Sequence, residues 1–164
     1  MIFVTVGTHE QPFNRLVQQI DQLKGTDLFE DEVVIQKGYS TFVPQHCRCF
    51  DVLPYEKMLE YQQNARIIIT HGGPASFIYP LSIGKIPIVV PRQKQYSEHV
   101  NDHQLEFCRQ LKERNFPIIL IEEIKDLSER ILNYNGGMEG KEFHSHNVDF
   151  VEKFKSIVDT MFVT

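Results

Sequence analysis

Six short runs of apolar, mostly β-branched residues recur along the chain, and most are continuous rather than alternating with polar residues. They are Ile2 to Val6, Val33 to Gln36, Phe50 to Leu53, Ile67 to Thr70, Ile86 to Val90 and Ile118 to Ile121. Because a continuous apolar run has no polar face, it is typical of a strand covered on both sides by helices. The runs therefore predict a buried, mostly parallel sheet.

Segments with helical spacing separate these runs. In the first of them, apolar residues fall at the i, i+3, i+4, i+7 positions of an amphipathic helix, from Phe13 to Leu23. Five more predicted helices include Met58 and Leu59, Phe77 to Ile83, Val100 to Leu111, Ile124 to Leu132 and Val151 to Met161. This β/α alternation predicts an α/β, Rossmann-like, doubly wound fold, whose ligand site lies beyond the carboxyl ends of the strands, where the strand order reverses.

The length of 164 residues suffices for one domain and not for two. Glycines in the segment Asn135 to Gly140 separate the last predicted helix from the rest of the chain. We therefore expect a single domain over residues 1–164, with residues 141–164 as a semi-detached terminal helix. The apolar stripe of that helix either docks a partner or packs on its own domain.

The formal net charge of -5 makes non-specific attraction to nucleic acid or to an anionic bilayer unfavourable, so no nucleic-acid partner is expected. Cys47, Cys49 and Cys108 form an odd, irregularly spaced set, which favours a reducing compartment over a disulfide framework. His46 beside Cys47 and Cys49 lacks the second ligand pair of a zinc finger. No leader peptide or membrane-length apolar run is evident, so we expect a cytoplasmic protein that reaches a membrane only through a partner.

The first strand-end loop is the segment Gly7 to Pro12, which opens the first helix. Exposed backbone N–H groups and the helix dipole favour a phosphate at such a position. A plain helix cap by Thr8 is the alternative. The segment is neither the GxGxxG dinucleotide fingerprint nor a P-loop, so the common dinucleotide enzymes and P-loop hydrolases are disfavoured.

The second loop is the segment Thr70 to Ser76, in which His71, Gly72 and Gly73 follow a strand and precede a helix. Two glycines let the backbone approach a ligand closely, and the N–H groups of Ala75 and Ser76 are expected to point outward as a second anion site. His71 is either a structural residue or a functional one at this strand end.

The third loop, Pro91 to Gln104, gathers many hydrogen-bonding side chains, which suit a polyhydroxylated ligand. His99 and His103 lie four residues apart and, with Asp102, could hold a metal, but the Glu of an HExxH motif is missing. The chain also lacks a GxSxG elbow and an Asp-x-Asp pair for a diphosphate-bound cation. We therefore expect no metal and no cofactor.

Three blocks together resemble one known family: His71 to Ser76, Gly84 to Arg92 and Glu98 to Gln104. They are similar to the donor-binding carboxyl-terminal lobe of the inverting, two-lobed GT-B glycosyltransferases that include MurG. Stand-alone catalytic subunits of split transferases look closest, namely bacterial capsule and exopolysaccharide β-1,4-galactosyltransferases and the soluble subunit of the dolichol-linked UDP-GlcNAc transferase. The motif-bearing resemblance ends near Leu111.

The resemblance implies a nucleotide-sugar-binding domain with the following roles. The diphosphate would bind at Gly7, Thr8, His71, Gly72, Gly73, Pro74, Ala75 and Ser76, the uracil at Pro54 and Tyr55, and the donor sugar at Glu98, His99 and Asp102. His9 would be the catalytic base if this chain carries one; otherwise the base comes from the partner. The family places a ribose-binding Glu where this sequence has Tyr79.

The function implied is transfer of galactose from UDP-galactose, in β-1,4 linkage, to a lipid-linked glucose during capsule or exopolysaccharide assembly. The UDP-sugar is then a substrate rather than a cofactor. A membrane-anchored partner subunit would bind the lipid-linked saccharide acceptor and keep this chain peripheral to the inner face of the membrane. Two alternatives stay open at this point: a UDP-GlcNAc transferase subunit, and a non-catalytic nucleotide-sugar-binding or assembly module.

Overall fold

The computed structural model describes residues 1–135 and 147–162, and it confirms the predicted α/β fold. Six parallel strands form one sheet: β1 (Ile2–Thr5), β2 (Val33–Gln36), β3 (Arg48–Phe50), β4 (Ile67–Thr70), β5 (Ile88–Val89) and β6 (Ile119–Leu120). Their order across the sheet is β3-β2-β1-β4-β5-β6. Every strand pair is parallel, so the sheet is fully rather than mostly parallel in the described part of the chain.

The helices pack on both faces of this sheet. They are α1 (Asn14–Gly25), α2 (Tyr55–Asn64), α3 (Ala75–Ser82), α4 (His103–Glu113), α5 (Leu127–Leu132) and α6 (Asn147–Phe162). Alternate residues of β1 enter opposite clusters: Ile2 and Val4 pack in one core cluster and Phe3 in another. The strands with continuous apolar runs are therefore covered on both sides, as predicted, because neither face of the sheet meets solvent.

Two predicted elements lie elsewhere than the sequence pattern placed them. The third strand is Arg48–Phe50, whereas Val52, which the predicted strand contained, is 60% exposed. The fourth helix begins at His103, and Val100, its predicted first apolar residue, is 66% exposed. In both places an apolar residue lies in a loop beside the element, so a prediction based on hydrophobic spacing alone misplaced the boundary.

Lys85, in the segment after α3, binds the carboxyl end of α2, just before β4 begins. Its Nζ donates to the carbonyl oxygens of Gln62 at 2.8 Å, Gln63 at 2.6 Å and Ala65 at 2.7 Å. These carbonyls end α2, where the helix dipole is negative and the last carbonyls lack partners within the helix. One ammonium group from the segment after α3 therefore fixes the end of α2.

The terminal helix α6 packs on the domain through an aromatic cluster. Phe154 is fully buried, with its ring centroid 6.1 Å from those of Phe77 and Phe107 and 5.9 Å from that of Phe116. Ile157 and Val158 pack against the same cluster. These three side chains of the apolar stripe therefore face the chain's own core. The predicted boundary at residue 141 lies outside the described residues.

Replacing Phe154 with Ala should lower the free energy of unfolding by about 3 kcal/mol, because it removes a buried ring from an aromatic cluster. Urea denaturation measures the change, and Glu152→Ala on the exposed face of the same helix is the control. Equal, small effects of the two substitutions would mean that α6 contributes nothing to the fold.

Candidate functional site

A groove of about 930 Å³ opens at the carboxyl ends of β1 and β4. The strand order reverses between these two neighbours, since β2 and β3 follow β1 on one side and β5 and β6 follow β4 on the other. The loops after β1 and β4 therefore diverge and leave a crevice. Residues of these loops and of α2 and α3 line it, among them Gly7, Thr8, His9, Tyr55, His71, Gly73, Pro74, Ala75, Ser76 and Tyr79.

The loop after β1 contributes residues with unused backbone donors to the lining of this groove, as far as the described part of the chain shows. Gly7 adopts a φ of 76°, a left-handed conformation in which a side chain would be strained. Its N–H donates to Thr5 Oγ1 at 3.3 Å. The backbone N–H groups of Thr8 and His9 have no acceptor among the described residues. They are free to bind an anion, and the Thr8 hydroxyl is exposed beside them.

His71 shapes the glycine loop after β4. Its ring lies between Gly7 and Gly73, and a Cβ on Gly7 would stand 2.5 Å from His71 Nε2, with a Cβ on Gly73 colliding with His71 Cε1. The Gly73 N–H donates to His71 Nδ1 at 3.0 Å, so this nitrogen is unprotonated. Both glycines are therefore required by the imidazole that packs between them.

The pKa of His71 is lowered to about 3, mainly because burial disfavours the imidazolium form, with a further contribution from the positive charge of Arg92. His71 is therefore neutral at physiological pH. A neutral ring with an accepting Nδ1 organises the loop, which supports a structural role for His71. The residue nevertheless lines the groove.

Ser76 is bound within its own loop. Its hydroxyl donates to the carbonyl oxygen of Gly73 at 2.5 Å, and its backbone N–H donates to the same oxygen at 3.0 Å. The expectation that the Ser76 N–H points outward is thus wrong, because the first turn of α3 uses it. The Ala75 N–H has no acceptor among the described residues and remains available at this helix start.

Of the residues expected around a nucleoside, Tyr55 and Tyr79 lie on the wall made by α2 and α3, whereas Pro54 is not among the groove-lining residues. Tyr55 lines the groove and is 75% exposed, while Pro54 precedes α2 and its carbonyl accepts the N–H of Met58 at 3.0 Å. Tyr79 also lines the groove, and its hydroxyl receives a 2.6 Å hydrogen bond from the side-chain amide of Gln63. The wall is open to solvent beside Tyr55.

Glu98 and Asp102, expected at a donor sugar, are both engaged by the protein. The buried Glu98 carboxylate accepts two hydrogen bonds from Arg15, at 2.7 and 2.9 Å, and one from the Gln93 N–H at 3.0 Å. Asp102 accepts from the Lys94 N–H at 2.9 Å. Neither is among the groove-lining residues, and contact of either with a sugar stays a prediction.

His9 and His99 form a stacked pair at the rim. Their ring centroids are 4.5 Å apart with an interplanar angle of 12°, and His9 Nε2 lies 2.9 Å from Gln11 Oε1. The pKa of His99 is lowered, first by burial and then by the charges of His9 and Arg92. The structure thus brings His9 and His99 together, although the sequence places them in different loops.

Three polar residues that were given no role from the sequence hold these loops together, and two of them, Gln36 and Arg92, are buried. Gln104 Oε1 accepts from the N–H groups of Gly72 at 3.0 Å and Arg92 at 3.1 Å. Gln36 donates to Thr5 Oγ1 at 3.1 Å and accepts from the Leu53 N–H at 2.8 Å. Arg92 is fully buried. Gln36 and Arg92 stand in or just after apolar strands, which was the available signal, since a polar residue buried there needs a partner. Gln104 lies in α4 and carried no such signal.

Within residues 1–135 and 147–162, no three His, Cys, Asp or Glu side chains converge as metal ligands. Cys47, Cys49 and Cys108 are free thiols. No described helix is long and apolar enough to cross a bilayer.

The stability of the protein should fall as the pH drops from about 6.5 toward 3. In that window the unfolded chain binds a proton at His71 and the folded chain does not, so protonation favours unfolding. Urea denaturation at a series of pH values measures the slope. His71→Asn keeps an acceptor for the Gly73 N–H. In this variant the slope of the free energy of unfolding against pH should be smaller, by up to the contribution of one bound proton. An identical slope in both proteins would contradict the assignment.

Gly7→Ala should destabilise the protein by about 1 to 3 kcal/mol, because the new Cβ meets the His71 ring at a left-handed backbone position. Gly25→Ala is the matched control, since its φ is ordinary and its Cβ would meet only the exposed, movable ring of His46. Chemical denaturation of both variants checks the difference, and equal effects would argue against the packing of His71 on Gly7.

Residues 1–161 match the model of the glycosyltransferase family 28 C-terminal domain. The chain is also similar to the UDP-N-acetylglucosamine transferase subunit ALG13 of Mus musculus, at 34% identity over 118 residues, and of Homo sapiens, at 33% over 119 residues. These alignments cover 66% and 67% of this chain and 10% of each relative, so the chain spans about a tenth of their length.

Solved structures share the fold. The glycotransferase of kitacinnamycin aligns over 98% of this chain and 40% of its own, with a TM-score of 0.58 and 14% identity. The glycosyltransferase SnogD from Streptomyces nogalater aligns over 95% of this chain and 39% of its own, with a TM-score of 0.54 and 17% identity. At such identities the likeness concerns the fold alone.

Proposed function

Because the chain belongs to the glycosyltransferase family 28 C-terminal domains, we propose that it is the donor-binding catalytic subunit of an inverting, UDP-sugar-dependent hexosyltransferase. One observation carries the proposal: backbone N–H groups from two different loops, at Thr8, His9 and Ala75, have no partner among the described residues and belong to residues that line one groove at the reversal of strand order. Backbone donors beside a helix start form a site for a diphosphate.

The reaction is attack of an acceptor hydroxyl on the anomeric carbon, which displaces UDP with inversion. It requires a base on the acceptor side and stabilisation of the negative charge that develops on the leaving diphosphate. The free N–H groups and the positive end of α3 serve the second requirement. His9, at the groove rim, is the proposed base if the chain supplies one.

A partner subunit completes the enzyme in this proposal. The chain corresponds to about two fifths of each aligned glycosyltransferase chain, and the similar mammalian proteins are themselves named as subunits. The partner would be membrane-anchored, bind a lipid-linked saccharide and hold this chain at the cytoplasmic face of the membrane.

The proposed donor is UDP-galactose, with transfer in β-1,4 linkage to a lipid-linked glucose during capsule or exopolysaccharide assembly. The names of the similar mammalian subunits favour a second candidate, UDP-N-acetylglucosamine. The two donors differ in the C4 configuration and in an acetamido group, which a few pocket contacts distinguish.

A transfer assay separates these possibilities. This chain, alone and with the membrane protein encoded beside it, is given a glucosyl-lipid and either radiolabelled donor. We expect transfer only from the pair, with UDP-galactose preferred. Preference for UDP-N-acetylglucosamine would remove the galactosyl assignment, and UDP binding without transfer by the pair would favour a non-catalytic nucleotide-sugar module.

Thr8→Val should weaken UDP binding roughly tenfold, because the variant keeps the side-chain shape and removes a hydroxyl that donates to a charged phosphate. Isothermal calorimetry measures the affinity. Thr26→Val, whose hydroxyl caps the end of α1 away from the groove, is the control and should bind UDP like the wild type. Unchanged affinity in Thr8→Val would remove this hydroxyl from the diphosphate site.

A further inference from the structure

Arg92 is a fully buried arginine at the end of β5, and its guanidinium joins two loops that share no regular hydrogen-bond ladder. Nη2 donates to the carbonyl oxygen of Val6 at 2.7 Å, and Nη1 donates to those of Gln11 at 2.6 Å and Glu98 at 3.0 Å. The first two carbonyls bracket the loop after β1, and the third belongs to the loop after β5. One side chain therefore fixes the separation of the two loops.

The acceptors of Arg92 are carbonyls rather than a carboxylate. Glu98 is the nearby acid, but its carboxylate is bound by Arg15 and the Gln93 N–H. Arg92 Nε has no partner among the described residues, and the guanidinium carbon lies 5.0 Å from the centroid of the Phe13 ring. A buried cation without its own anion is costly, and an apolar side chain would fill the same space at a lower desolvation penalty. The guanidinium therefore does more than fill space, because its hydrogen bonds tie the loop after β1 to the loop after β5.

We propose that Arg92 is a positioning residue for the diphosphate of the donor: by binding inward-turned carbonyls of the loops after β1 and β5, it leaves the N–H groups of Thr8 and His9 free at the groove and holds His99 against His9. This inference rests on the proposed function for the identity of the ligand, but not for the geometry of the loops. The planar fork is essential to it, since its two terminal nitrogens reach carbonyls of two separate loops, whereas a Lys ammonium offers all its donors from a single nitrogen.

The test compares Arg92→Lys, which keeps the charge, with Arg92→Met, which removes it. Both should bind UDP at least tenfold more weakly than the wild type by calorimetry, while uridine, which lacks phosphates, should bind with unchanged affinity by NMR titration. Arg109→Lys and Arg109→Met, at a surface pair with Glu122, are the matched controls and should bind UDP normally. Wild-type affinity in Arg92→Lys, or an equal loss of uridine binding, would overturn the proposal.

A second readout needs no nucleotide. The Cε1–H proton signals of His9 and His99 should shift in Arg92→Lys, because separating the rings removes their mutual ring-current effect. If wild-type protein fails to bind UDP, the proposed function fails while this measurement still tests the loop geometry. Unshifted histidine signals would overturn the positioning role in either case.

Should neither variant fold, the wild-type protein still decides the matter. Hydrogen exchange in the presence of UDP should slow at the backbone amides of Thr8 and His9, the donors that Arg92 is proposed to leave free. If UDP binds but does not slow hydrogen exchange at these two amides, the proposal is overturned.

Discussion

The parallel pairing of β1 with β4 is the contact on which the rest of the structure depends. Ile2 pairs with Ile67 and Thr5 with Thr70, so the two strands end at the same level. The chain turns away from this pair in opposite directions, toward β2 on one side and β5 on the other. The glycine loop and the loop after β1 therefore meet at one crevice, and His71 fills the space between their glycines.

The sheet and the place of the groove were predictable because both follow from local patterns. Runs such as Ile67 to Ile69 are apolar throughout, which is typical of a strand buried on both faces. The site loops were predictable because glycines stand where strands end. The ends of the strands and helices were less predictable. Val52 and Val100 are apolar but exposed in loops, and no local rule distinguishes them from strand or helix residues.

What the sequence could not provide was the pairing of polar side chains across loops that lie far apart in the chain. Arg15 and Glu98 are 83 positions apart, and Arg92 and Val6 are 86 apart. The family resemblance implies a sugar contact for Glu98, which stays a prediction, but the sequence did not reveal that its carboxylate is bound by Arg15. Such pairings depend on which loops the sheet order brings together, which spacing along one chain does not reveal.

The open wall beside Tyr55 has a consequence for the chemistry proposed here. In the proposed enzyme, a nucleotide sugar bound in this open groove without a partner would meet bulk water, which is itself a competing nucleophile. If a second polypeptide supplies the nucleophile and the closing surface, as proposed, assembly of the two is also the step that protects the activated sugar, so that glycosyl transfer and the exclusion of solvent begin together.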